Sequence, residues 1–239
     1  MQDKVAIITG ASSGIGKALA YEFARRGAKL AIAARNWEEL TAIEQDLKSK
    51  GSKVVSIRTD VTKELACKEL IEQTYNYYGR IDILVNNAGI SMRALLEELD
   101  PAVLHKVMDV NFWGTVYCTK YALPYLLQSK GSLVGVISIA GFIGLPGRTG
   151  YAASKFAVRG FLNTVRIENR KKGLHVLVAA PGFTASNIRK SALNARGRQQ
   201  GESPRDEGHM MTAERCATII AQGVRKRKRE IIMTFVEGK

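Results

Sequence analysis

Seven short apolar, mostly β-branched runs, at 5–9, 29–34, 53–58, 83–86, 132–138, 176–180 and 230–235, are separated by longer amphipathic stretches. Strands that alternate with helices pair in parallel, because each crossover must travel back along a face of the sheet. Both faces are then covered by helices. Right-handed crossovers wind two such halves into an α/β, doubly wound parallel sheet of about seven strands, and ligands of such sheets bind at the carboxyl ends of the strands. The 239 residues, 46% of them hydrophobic, suffice for one sizeable core, so the chain reads as one domain over 1–239. One stretch breaks the rhythm. Residues 185–211 are polar, hold Gly197, Gly201, Pro204 and Gly208, and read as a mobile flap, with plain disorder as the competing reading.

After the first run comes Thr9-Gly10-Ala11-Ser12-Ser13-Gly14-Ile15-Gly16, with a helix expected from about Ile15. Glycines there let the backbone approach a pyrophosphate, and the helix start offers N–H groups that no helical carbonyl uses. This is the context of a dinucleotide-binding turn in a Rossmann-like sheet, although the spacing is Gly-x-x-x-Gly-x-Gly and not the commoner Gly-x-Gly-x-x-Gly. The same residues satisfy Gly-x-Ser-x-Gly, the nucleophile elbow of serine hydrolases. That alternative requires an acid and then a histidine downstream. The three histidines are poorly placed for it: His105 falls in a helical segment, His175 just before a strand and His209 in the polar flap.

The second strand ends Ala33-Ala34-Arg35-Asn36, with no carboxylate where one would hold a ribose 2'-hydroxyl. A guanidinium there binds a 2'-phosphate and stacks on adenine, so NADP(H) is expected over NAD(H). Farther on, Tyr151-Ala152-Ala153-Ser154-Lys155 puts a tyrosine and a lysine on one helix face. Such pairs are common decoration. A phenol titrates near ~10, and bringing it to neutrality takes about 4 kcal/mol of phenolate stabilisation, which an ammonium in a partly dry site supplies.

The glycine turn, Asn86-Asn87-Ala88-Gly89, Asn111, Ser138 thirteen residues before Tyr151, Lys155 and Pro181-Gly182 follow one another in an order and spacing that resembles the classical short-chain dehydrogenases/reductases, over about residues 4–186. The resemblance implies an oxidoreductase moving a hydride between nicotinamide and a carbonyl or secondary alcohol. Tyr151 would exchange a proton with the substrate oxygen, and Ser138 would hydrogen-bond that oxygen. Lys155 would hold the nicotinamide ribose and stabilise the phenolate, while Asn111 would hold a water linking Lys155 to solvent. Bland alternatives exist for two of them: Ser138 as a strand-end turn, Asn111 as a helix N-cap. Cofactor contacts are implied for Gly10, Ser12, Ser13, Gly14, Ile15 and Gly16, for Arg35 and Asn36, and for Asp60 and Val61 beside the adenine. They continue through Asn87, Ala88 and Gly89 to Pro181, Gly182, Phe183 and Thr184, with Tyr151 and Lys155. Where the family often has valine or isoleucine and, two positions on, threonine, this chain has Thr184 and Ser186, leaving open which hydroxyl touches the cofactor. Ser13 replaces a basic residue that some NADP-preferring members carry, which leaves Arg35 as the main determinant.

Met92, Ala140, Phe142, Leu145 and Phe183 flank these motifs and are expected, with Ser138, to form a largely apolar substrate pocket, though all five apolar residues also suit a core. Pro-Gly-Phe-Thr-Ala-Ser-Asn and the flap after it look most like the hydroxysteroid-dehydrogenase-like branch, whose members commonly continue beyond a point equivalent to Lys239. Segments 112–128 and 152–171 correspond to helices through which family members form dimers and tetramers, so a homo-oligomer, a tetramer, is expected. An NADP-binding redox sensor without turnover is the other class of function such a chain admits.

Nothing at the start resembles a signal peptide and no apolar stretch reaches spanning length, so a cytoplasmic protein is expected. Cys67, Cys118 and Cys216 have neither metal-ligand nor disulfide-framework spacing, which suits a reducing compartment. The net charge of +14 is concentrated late, with eleven Lys or Arg against four Asp or Glu over 189–229. Five consecutive basic residues, Arg225 to Arg229, are able to meet nucleic-acid phosphates, but no stacking aromatics are interleaved with them. They read as a solvated loop before the last strand.

Overall fold

The computed structural model describes residues 1–184, 188, 191–201 and 210–233. Seven strands, β1 (Val5–Thr9), β2 (Lys29–Ala34), β3 (Val54–Arg58), β4 (Ile83–Asn86), β5 (Ser132–Val136), β6 (His175–Pro181) and β7 (Glu230–Met233), form one sheet in the order β3-β2-β1-β4-β5-β6-β7. Every pairing is parallel. The helices are α1 (Gly14–Arg25), α2 (Trp37–Ser49), α3 (Glu64–Tyr78), α4 (Pro101–Met108), α5 (Gly114–Gln128), α6 (Thr149–Glu168) and α7 (Ala213–Arg225). The expected sheet is therefore present. Predicted strand ends differ by one or two residues, most at β5, which stops at Val136 because Ser138 already caps a 3-10 turn, Ile139–Gly141. Predicted positions 234 and 235 lie outside the described residues.

Alternation along each strand sorts side chains to two cores. Ala6 and Ile8 face a cluster with Leu19 and Phe23 of α1, Leu40 of α2 and Ile220 of α7. Ile7, between them, faces Leu70 of α3, Leu126 of α5 and Leu162 of α6. Since both faces are covered, β1, β5 and β6 are buried along their whole length, which is why their sequences read as continuous apolar runs. A smaller cluster, Met92, Leu99, Val103, Val107 and Leu193, ties the 191–201 segment to α4. That segment is more than a loop: Leu193 bridges to Met92 and to Gln199.

The strand order reverses between β1 and β4, and there the loops after neighbouring strands diverge and open a crevice at their carboxyl ends.

Candidate active site

At the end of β1 the chain turns through Gly10 (φ +66°) and Gly14 (φ +52°), left-handed conformations that suit glycine. The turn packs directly on the segment after β4. A Cβ on Gly16 would lie 2.1 Å from the Gly10 carbonyl oxygen, and one on Gly10 would lie 2.8 Å from Ala88 Cα. Thr9, which sequence reasoning did not place in the site, locks the two together. Its Oγ1 accepts from the Asn87 and Ala88 N–H groups at 3.1 Å each and donates to Val85 O, while Asn87 Nδ2 donates to the carbonyls of Thr9 and Gly10. The start of α1 is left open to an anion: Ser13, its N-cap, makes no side-chain capping bond, and the first turn holds no acid.

The floor of the crevice continues past the end of β2. Asn36 caps α2 by accepting from Glu39 N–H at 3.2 Å. Arg35 is exposed at the rim and makes no hydrogen bond or ion pair with a described residue. Asp60 Oδ1 accepts from the backbone N–H and hydroxyl of Thr62 at 3.0 and 2.9 Å, and Val61 is buried against the place where Gly114 lacks a side chain.

Across the crevice, Lys155 is 4% exposed, and burial lowers its pKa to about 8. Its Nζ donates to Val136 O at 3.1 Å and stands 5.7 Å from the centre of the Tyr151 ring. Gly89 closes on the same point: a Cβ there would be 3.2 Å from Asn111 Oδ1 and 3.4 Å from Lys155 Nζ. Asn111 is not an N-cap. It lies in a π-helical turn, Asp109–Trp113, between α4 and α5, a widening common at functional sites. Its Oδ1 accepts from Ile90 N–H at 2.8 Å, and its Nδ2 donates to Ile90 O and to Ser154 Oγ at 3.0 and 2.9 Å. Ser154 Oγ in turn donates to Tyr151 O at 2.7 Å, so one network joins the loop after β4 to the first turns of α6. Ser154 stood inside the tyrosine-lysine motif, yet only the fold shows its partner. Ser138 accepts from Ala140 N–H at 3.2 Å and thus does form the strand-end turn, while also facing the crevice.

These groups line one cavity of about 820 Å³, running from the glycine turn to Tyr151 and on to Pro181, Gly182, Phe183 and Thr184. Gly16 and Asn111 stand behind its wall and shape it through their neighbours. The expected apolar pocket is only partly there. Leu145 and Phe183 line the cavity, but Met92 is fully buried beside its bridge to Leu193, Ala140 is buried within the 3-10 turn, and Phe142 lies beneath the Arg159 guanidinium, which is 3.7 Å from its ring centre. In their place stand Ser91, Arg148, Leu193 and Gln199. Arg148 Nη1 donates to Ser91 Oγ at 2.6 Å and Met92 O at 2.8 Å, pinning the loop after β4 to the start of α6. Ser186 and His209 lie outside the described residues. Neither described histidine is placed to serve the hydrolase reading as base: His105 is exposed on α4, and His175 sits at the far end of the sheet, paired with Ser132 Oγ and Lys228 O.

An anion-ready helix start, a reversal of strand order and a buried lysine beside a tyrosine describe a Rossmann-like α/β protein whose strand-end crevice suits a nucleotide and a proton transfer. A family model for short chain dehydrogenases matches residues 4–197, and the chain belongs to that oxidoreductase family, the short-chain dehydrogenases/reductases. It is 43% identical over 187 residues to 11-beta-hydroxysteroid dehydrogenase A of Sesamum indicum, which covers 77% of this chain and 53% of that protein. To 11-beta-hydroxysteroid dehydrogenase 1A of Arabidopsis thaliana it is 37% identical over 241 residues, 95% of this chain and 67% of that protein. The chain thus spans between about half and two thirds of these curated relatives. Among solved structures, it is similar to an alcohol dehydrogenase from the archaeon Thermococcus sibiricus complexed with 5-hydroxy-NADP. The TM-score is 0.88 at 26% identity, covering 100% of this chain and 99% of that one. A short chain dehydrogenase/reductase from Burkholderia phymatum in complex with NAD gives 0.87 at 25%, covering 97% and 89%.

Proposed function

We propose that the protein is an NADP(H)-dependent oxidoreductase that interconverts a carbonyl compound and a secondary alcohol, with Asn111, Ser138, Tyr151 and Lys155 as its acid-base and positioning set. The observation that carries this reading is the continuity of one cavity from the open start of α1 to the Tyr151-Lys155 pair. The glycine turn suits a pyrophosphate: tight packing of Gly10 and Gly16 on Gly10 O and Ala88 fixes the turn without side chains, and the start of α1 beside it has no side-chain capping bond and no acid in its first turn. When bound, the nicotinamide supplies or accepts the hydride. This chain's residues do the rest. Ser138 orients the substrate oxygen, Tyr151 exchanges the proton at that oxygen, and Lys155 favours the phenolate and holds the ribose. Asn111 fixes the loop at Ile90 and, through Ser154, the carbonyl of Tyr151.

NADP(H) is favoured over NAD(H) because Arg35 stands at the rim with no partner among the described residues and no acid replaces it at the end of β2. Relatives in complex with each cofactor exist, so the choice rests on this chain's own arginine. We also infer a homo-oligomer, a tetramer, from half-exposed Trp113 and Phe156 near α5 and on α6, which a monomer would leave in water. Sedimentation at micromolar concentration should show it, and a monomer throughout would refute it.

The decisive assay is a panel of ketones, aldehydes and alcohols with NADPH and NADP, run on wild type and Tyr151→Phe. Turnover in the wild type that falls at least about 100-fold in the variant, with NADPH affinity retained, is the expected result. NADPH binding without Tyr151-dependent consumption of any compound would favour a sensor without turnover.

A further inference from the structure

The end of the sheet where the strands begin carries a charge pattern that the cofactor crevice does not use. Around the starts of β1 to β4 most basic side chains are paired: Lys4 and Arg80 share the Asp82 carboxylate, Arg25 and Arg26 share Glu22, and Lys48 and Lys50 hold Glu44 and Asp46, with Lys53 the exception. Around the starts of β5 to β7 the balance is different. Lys130 precedes β5, Arg170 to Lys172 precede β6, and Arg225 to Arg229 precede β7. All nine are exposed, and none makes an ion pair with a described residue. Among the described acids flanking them in sequence, Glu230 pairs with Arg159 at 3.6 Å and Glu168 makes no ion pair with a described residue.

These cations do not hang on a loose loop. Arg227, in the left-handed region at φ +48°, sends Nη1 to Lys130 O at 3.2 Å and Nη2 to Gly173 O at 2.7 Å, so one guanidinium joins three connections. Lys130 has the same φ of +48°. Arg166 Nη2 donates to Arg229 O at 3.0 Å, and His175 Nε2 pairs with Lys228 O at 2.8 Å. Both left-handed residues close helix ends: the Lys130 and Gly131 N–H groups bond to Leu127 O and Leu126 O, and those of Arg227 and Lys228 to Val224 O and Gly223 O, so the backbone of both connections is fixed. The cost of gathering nine like charges without acids is recovered when an anionic surface neutralises them.

We propose that this end of the sheet docks the protein on an anionic lipid bilayer, with the cofactor crevice facing away from the membrane. Clusters of several Lys and Arg hold proteins at anionic lipid through headgroup attraction. A bilayer fits better than nucleic acid because the three basic connections carry no aromatic side chain on which a base would stack. The strands put the crevice about 17 Å or more away. That exceeds the screening length of about 10 Å at moderate salt, so docking leaves cofactor binding undisturbed.

The test uses the full chain, phosphatidylcholine vesicles, and vesicles in which about a third of the lipid is phosphatidylglycerol. The protein should sediment with the anionic vesicles alone and be released by high salt. A variant carrying Lys171→Glu, Lys172→Glu, Lys226→Glu and Lys228→Glu should lose at least tenfold in vesicle affinity while its thermal midpoint and NADPH affinity stay those of wild type. Failure to sediment at moderate salt would overturn the proposal, as would unchanged vesicle binding by the variant. Retention of duplex DNA at a tenfold lower protein concentration than vesicles would assign the patch to nucleic acid instead. Because vesicle binding is read without substrate, its failure is separate from any failure of the proposed reaction.

Discussion

Lys155 shows how a single side chain acquires a value that its type does not have. In the unfolded chain it titrates near the ordinary lysine value of 10.5, whereas in the folded protein burial brings it to about 8. Between those values the unfolded state binds more protons, so stability rises with pH across that window. Below pH 8 the full penalty, about 3 kcal/mol, is present. Urea midpoints of the cofactor-free protein should therefore climb from pH 8 to pH 10 relative to Lys155→Met. A difference that stays flat over that range would contradict the burial. Arg35 makes the complementary case. Charge-assisted bonds to a phosphate contribute about 1.5–3 kcal/mol, so Arg35→Ala should weaken NADPH roughly 10- to 100-fold and NADH little. Fluorescence titration of both cofactors measures it, and equal losses for the two would remove Arg35 from the 2'-phosphate.

Among the elements, the turn after β1 and the start of α6 carry the site. A Cβ on Gly16 meets backbone, which cannot swing aside as a flexible side-chain tip would. Gly16→Ala should accordingly cost about 1–3 kcal/mol of stability and loosen NADPH more than tenfold, as unfolding and binding titrations will read. The start of α6 depends on a residue 57 positions from its partner: Arg148 holds Ser91 and Met92 O. Arg148→Met should lower kcat/KM about tenfold, with Arg148→Lys restoring less than half of the loss, since an ammonium lacks the planar fork. Steady-state kinetics decides, and full rescue by lysine would reduce Arg148 to a point charge.

For the molecule as a whole, the cavity touches loops after six strands, β1 to β6, so a ligand filling it braces the sheet across most of its width. At a hundredfold excess over its dissociation constant NADPH should stabilise the protein by about 2.7 kcal/mol, a rise of roughly 5–10 °C in thermal midpoint for a chain this long. NADH at the same concentration should give a smaller rise. Equal shifts by scanning calorimetry would mean that the site does not discriminate.

The sheet was legible because strands covered on both faces must be apolar throughout, a pattern local in sequence. The glycine turn, Ser138, Tyr151 and Lys155 were legible for a related reason: their spacing is set by one strand end or one helix. What lay across long separations was not. Thr9 on Asn87, Asn111 on Ile90 and Ser154, and Arg148 on Ser91 are contacts between segments 21 to 78 residues apart. Met92, Ala140 and Phe142 looked like pocket walls by adjacency to motifs, and packing turned them elsewhere. The basic run is an exposed connection before the last strand, as read, but that Arg227 joins it to Lys130 and Gly173 is a contact between distant segments. Local sequence dictates which element forms and which chemistry it carries. Which side chains meet in a cavity or on a surface depends on how distant elements pack, and no periodicity along the chain encodes that.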